Sequence, residues 1–150
     1  MPVGLNNYAA AYATGLLLAR RLLSKLNLAD KYKGQTNPDG NDYNVEELED
    51  GPHPFRAYLD VGLHRTTTGS KVFAALKGVT DGGVEVPHSV TRFVGYSKEE
   101  KSLKADVLRK HIFGAHVGDY MKSLREENPP KYQKLFTDYI KVKEKHSVQN

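Results

Sequence analysis

The chain has 150 residues, no cysteine, 39% hydrophobic and 27% charged residues, and a net charge of +4. That length is one domain's worth of chain, able to bury about 70% of its unfolded surface; the missing cysteines exclude disulfides and thiolate zinc sites, and no apolar run approaches the roughly 20 residues needed to span a bilayer. A pI near 9.2 and a mean hydropathy of −0.59 suit a domain that meets a polyanion, although +4 is equally the charge of a basic domain with no nucleic-acid role.

The opening Met1-Pro2-Val3-Gly4 does not read as a signal peptide. Leu5 to Leu28 is the clearest helix, with Asn6 or Asn7 as cap and Tyr8, Ala9, Tyr12, Leu16, Ala19 and Leu23 at helical spacing. Its alanines and Gly15 imply close approach to a neighbour. Leu16-Leu17-Leu18 and Leu22-Leu23 make it apolar on more than one face, so it is expected between a sheet and a second layer. Arg20, Arg21 and Lys25 fall in its last turns, where cations oppose the helix dipole; an RNA contact is the other reading. Lys33 to Pro54 is rich in turn formers and acids, and residues 35–60 sum to −6 while 1–34 sum to +4 and 101–150 to +5. This acidic stretch, about 35–54, reads as a solvated insertion or a contact for basic protein tails.

Arg56 to Val61 alternates as a partly buried strand ended by Gly62. The loop His64-Arg65-Thr66-Thr67-Thr68-Gly69 follows, directly ahead of a helix whose Val72, Phe73, Leu76 and Val79 share a face. Thr68 or Ser70 is the expected N-cap. Free first-turn amides beside three threonines, Arg65 and Lys71 form a natural phosphate seat. Asp81-Gly82-Gly83 ends the helix as a turn, and Val84-Glu85-Val86 begins a second strand.

Residues 87–97 form an irregular basic connector in which His88, Arg92, Phe93 and Tyr96 could stack on RNA or cover a core edge. A helix from Lys98 or Ser102 to Glu127 follows, disturbed near Gly114 and Gly118. Asn128-Pro129-Pro130 stops it, and a last helix runs from Lys131 to about Lys145. Lys141, Lys143, Lys145 and His146 either touch nucleic acid or form a solvated tail.

Catalytic patterns fare poorly. Gly62, Gly69 and Lys71 fail the Walker spacing, since six residues separate the glycines and Ser70 precedes the lysine. His111 and His116 fall about 140° apart on a continuous helix, which disfavours a shared metal. Asp60 at a strand end admits a ribonuclease H-like, phosphate-handling enzyme as the alternative function, without evident partner carboxylates.

Five strings narrow the choice: GLNNYAAAYATGLLLARRLL, DYNVEE, YLDVGLHRTTTGSKVFAALKGVTDGGVEVPHS, RFVGY and RKHIFGAHVGDYMKSL. In that order they resemble the eukaryotic branch of the universal L eighteen family of large-subunit ribosomal proteins, which bind 5S rRNA. The resemblance covers nearly the whole chain; His64 and Val94 depart from it, where alanine and proline are usual. It implies a mixed α/β fold with a sheet flanked by helices, residues 1–97 forming a partial 5S rRNA-binding domain and 98–150 a helical C-terminal extension. The family's basic arm and early strands lie upstream of the point where this sequence starts. The reading therefore expects a shortened chain lacking those strands, marginal or unfolded alone, with a cooperative melt above about 50 °C counting against it.

The implied role is structural. The family clamps 5S rRNA, docks it at the central protuberance beside the neighbouring 5S-binding protein (L eleven in eukaryotes), large-subunit rRNA and other large-subunit proteins, and works in the cytoplasm after nuclear and nucleolar assembly. No cofactor, metal or membrane is implied. The RNA-binding residues it suggests are Arg65, Thr66, Thr67, Thr68, Gly69, Ser70 and Lys71, with His88 and Arg92 from the connector. A fragment kept only for protein contacts is the remaining alternative.

Overall fold

The computed structural model describes residues 3–147, and side chains through 142, so the basic side chains expected at Lys143, Lys145 and His146 lie outside the described residues. The first helix, α1, is Tyr8–Lys25. Asn7 sets its start, its Oδ1 accepting from the Ala10 amide at 2.7 Å. Asn27 sets its end by taking a φ of 56°, which lets the Leu28 and Asn27 amides return to the Leu23 and Ser24 carbonyls at 2.8 and 3.2 Å.

The second helix, α2, is Lys71–Asp81 and packs along α1. The two backbones touch because both faces carry glycine at the crossing. A Cβ on Gly15 would stand 2.0 Å from the Ala75 carbonyl oxygen, and one on Gly78 2.1 Å from that of Tyr12. Around this crossing Tyr12, Ala19, Leu23, Phe73, Ala74 and Leu76 build the core, joined by Val84, Val86 and Phe93. At the end of α2 it is Gly83, with φ of 98°, that turns left-handed, while Gly82 remains right-handed.

Inside this core lies a charge pair that local reading missed. Asp81, read as a turn residue, is fully buried with Lys77, whose Nζ donates to Oδ1 at 2.5 Å; the Tyr12 hydroxyl donates to Oδ2 at 2.8 Å. Burial pushes the Asp81 carboxyl above the usual carboxylate range, against the pull of Lys77 and Tyr12.

Residues 26–70 run as turns and extended chain over this pair of helices. Arg20 holds the first part: its Nη1 donates to the Tyr32, Lys33 and Gly82 carbonyls at 2.8, 3.1 and 3.2 Å, and Nη2 to that of Ala29 at 3.1 Å. Arg20 is thus a clamp between segments rather than a dipole partner. Buried Tyr32 donates to the Pro52 carbonyl at 2.7 Å, and the Gln35 amide to that of Asp81 at 2.7 Å. The acidic stretch is pinned at these points, with Glu46, Glu47, Glu49 and Asp50 left in solvent.

The expected strand at Arg56–Val61 is reduced to one parallel bridge, Arg56 to Glu85, flanked by Ala57 N to Glu85 O and Glu85 N to Phe55 O at 2.9 and 3.0 Å. A strand exists only where a neighbour accepts its ladder, and beyond Ala57 none does among the described residues. Tyr58 and Leu59 are exposed rather than half-buried. Among the described residues the sheet of the α/β reading is cut down to this bridge and a small antiparallel pair, and none of it covers the outer face of α1, where Leu17 and Leu18 remain 48% and 60% exposed.

A 3-10 turn at Val90–Arg92 leads into a two-stranded antiparallel sheet, β1 (Tyr96–Ser97) with β2 (Ser102–Leu103), which straddles position 97/98. The single long helix expected from Lys98 or Ser102 is two helices, α3 (Ala105–Ile112) and α4 (Ala115–Glu127), broken at Gly114, where φ is 71°; Gly118 lies undisturbed inside α4. Helix α3 sends Leu108 and Ile112 into the main core. The chain ends in α5 (Pro129–Leu135), capped by the Asn128 side chain, and α6 (Thr137–Ser147). Helix α5 packs on α4 and α6 on α5, with the Phe136 ring between them meeting Tyr120, Tyr132 and Tyr139.

The break also changes the histidine pair. His111 and His116 are not splayed apart; their rings stack at 4.1 Å and 15°, with the edge of Tyr8 against His111. Burial and the neighbouring His111 together hold His116 below the usual histidine range. Among the described residues no group of three or more metal-ligating side chains forms.

Candidate nucleic-acid interface

The threonine loop is exposed, and it is fixed at its C-terminal end. The Gly69 amide donates to the Arg92 carbonyl at 3.0 Å, the Thr68 hydroxyl to the Thr91 carbonyl at 3.2 Å, and the Ser70 amide to the Thr67 carbonyl at 3.1 Å. These bonds draw Arg92 from the connector to the side of the loop, a proximity that sequence separation hides. Arg65, Thr66, Thr67 and Arg92 all face solvent.

The other expected residues have narrower freedom. Ser70 stands at the N-cap of α2 but its hydroxyl makes no capping bond, and Thr68 caps nothing because it serves Thr91. Lys71 donates to the Asn6 carbonyl and side-chain oxygens at 2.9 and 3.0 Å, tying the loop to the start of α1 and leaving one of its three donors. His88 is enclosed, its side chain 4% exposed, with Nδ1 2.6 Å from the Val86 carbonyl and Nε2 3.1 Å from Asp42. Both ring nitrogens are therefore spent on protein. Asp60 accepts from the Gly62 amide at 2.8 Å and stands in solvent, a turn-forming role.

Helices packed beside a short sheet, with a loop of hydroxyls and cations opening a helix, describe a small α/β protein with a surface suited to a polyanion. Residues 1–89 match the family model described as ribosomal large subunit proteins 60S L5 and 50S L18. Over 139 residues the chain is 66% identical to large ribosomal subunit protein uL18 of Suberites domuncula, covering 93% of this chain and 47% of the relative. Proteins of the same name from Dunaliella salina and Drosophila melanogaster are each 59% identical over 140 residues, 93% of this chain and 51% and 47% of theirs. The chain belongs to this family of large-subunit ribosomal proteins, which is structural rather than enzymatic. It spans about half the length of the curated relatives it matches. The family removes the ribonuclease-like alternative built on Asp60.

Proposed function

We propose that the chain is a structural component of the large ribosomal subunit that holds 5S rRNA by its sugar-phosphate backbone and helps seat it at the central protuberance, beside large-subunit rRNA and L eleven. Assembly in the nucleus and service on cytoplasmic ribosomes follow from that role. The observation that carries the reading is the loop at the start of α2: Arg65, Thr66 and Thr67 lie exposed, and hydrogen bonds at Thr67, Thr68, Gly69 and Ser70 tie the loop's C-terminal end to the segment that carries exposed Arg92. A pre-ordered loop loses little entropy on binding, and hydroxyls with guanidinium groups contact phosphates without reading bases. Gly69, Thr68 and Ser70 set the loop's shape, Lys71 contributes its remaining donor, and His88 braces the connector from behind.

Arg65→Ala tests this in filter binding to 5S rRNA across a salt series. Losing one phosphate contact should weaken binding and make the slope of log affinity against log salt shallower by about 0.7–0.9. Affinity and slope equal to the parent's would take the loop out of the interface.

A further inference from the structure

We propose that the C-terminal end of α3 carries a second RNA contact, in which an unpaired nucleobase stacks on Phe113 while its flanking phosphates lie on Arg109 and Lys110. Phe113 is the C-cap of α3 and is 60% exposed, whereas Leu108 and Ile112 on the same helix are buried. One turn back, the Arg109 guanidinium lies over its ring, 5.5 Å from the centroid, and Lys110 is exposed beside it. Gly114 turns the chain left-handed after Phe113 and separates α3 from α4, and an open concavity of about 490 Å³ lies at this junction. Asp106, Arg109, Lys110, Phe113 and Ala115 line it.

Each lining group has a use for a nucleotide. An aromatic face with a cation against it is a stacking platform for a base, and two adjacent cations neutralise phosphates. Asp106 can accept from an exocyclic amine of the base, and its charge directs phosphates towards Arg109 and Lys110. A paired base offers no free face, so the ligand is single-stranded or looped RNA. The surrounding segment, residues 101–150, carries +5. The inference rests on RNA being the partner but uses no residue of the threonine loop.

The chain contains no tryptophan, so Phe113→Trp places a single indole fluorophore at the platform. The full chain carrying it, checked for parental circular dichroism, is titrated with a single-stranded oligonucleotide, the matching duplex and 5S rRNA. Saturable quenching by the oligonucleotide and 5S rRNA but not the duplex is expected, with affinity kept in Phe113→Trp and reduced about tenfold in Phe113→Leu, the loss of one stacked base. Quenching should persist in an Arg65→Ala background. RNA binding that leaves the indole emission unchanged, or Phe113→Leu binding like the parent, overturns the proposal alone; an acidic protein as the true occupant would give that silent result. A parent chain that binds no RNA overturns this proposal and the RNA-binding reading together.

Discussion

Replacing Asp81 with asparagine keeps the side chain's shape and an acceptor for Tyr12, but strands the Lys77 ammonium in a site where both residues are fully buried. An uncompensated buried charge costs about 3–5 kcal/mol. Domains of this kind have about 5–15 kcal/mol in total, so the substitution should remove a large share of the stability. At about 2–4 °C per kcal/mol for 150 residues, the melting midpoint should fall by about 6–20 °C. The assay is urea and thermal unfolding followed by circular dichroism, with a triple variant, Tyr12→Phe with Lys77→Met and Asp81→Leu, as the decisive control. That variant removes both charges and the hydroxyl at once, so no polar group is left unpaired, and it should recover to within about 2 kcal/mol of the parent or exceed it. Asp81→Asn as stable as the parent would show that the pair is not desolvated in solution. A triple variant as weak as the single one would show that shape, not charge, holds the site.

Arg20→Ala should destabilise by about 2–3 kcal/mol, because carbonyls of residues 29–33 and 82 lose a charged donor, and Arg20→Lys should not restore it, since one ammonium cannot serve the span of a guanidinium. Denaturation midpoints of the three proteins decide this. Gly78→Ala should force α1 and α2 apart and cost more than about 3 kcal/mol, whereas Gly118→Ala, which meets nothing within 4 Å and lies mid-helix, should stabilise by about 0.5–1 kcal/mol. Burial pushes the Tyr8 hydroxyl from 10.0 to about 12, so the unfolded chain gives up that proton first. Stability should be intact below pH 10 and drain away as pH rises through about 12, and in a spectrophotometric titration the Tyr8 and Tyr12 hydroxyls should ionise only at the alkaline end. Tyr8 and Tyr12 ionising near pH 10 in the folded chain would contradict the packing.

Helices α1 and α2 were legible because their signals are local. Asn7, the apolar spacing of Tyr8, Tyr12, Ala19 and Leu23, and the Gly82-Gly83 exit act within a few residues of where they sit. The Lys77–Asp81 pair had a local signal too, unread: both fall one and two turns after Phe73, on the face that packs inward. What no window could supply was the neighbour. Whether Arg56–Val61 becomes a strand depends on a partner's hydrogen bonds, and whether Asp81 is a turn residue or a buried anion depends on Tyr12, 69 residues away. The stacking of His111 on His116 depended on where the helix broke, and Gly114 and Gly118 look alike in sequence.

The amino-acid order by itself determined helices α1 and α2, the segregation of acid from base, the loop of threonines ahead of α2 and the kinship those strings carry. Tertiary structure alone decided which cations remain available. Arg20 is consumed by four carbonyls, Lys71 is tied to Asn6, Lys77 is sealed with Asp81, and Arg65, Arg92 and Arg109 stay at the surface. A charge in the sequence is only a capacity to bind, because desolvation and hydrogen-bond partners, set by contacts between distant segments, fix whether it meets protein or solvent.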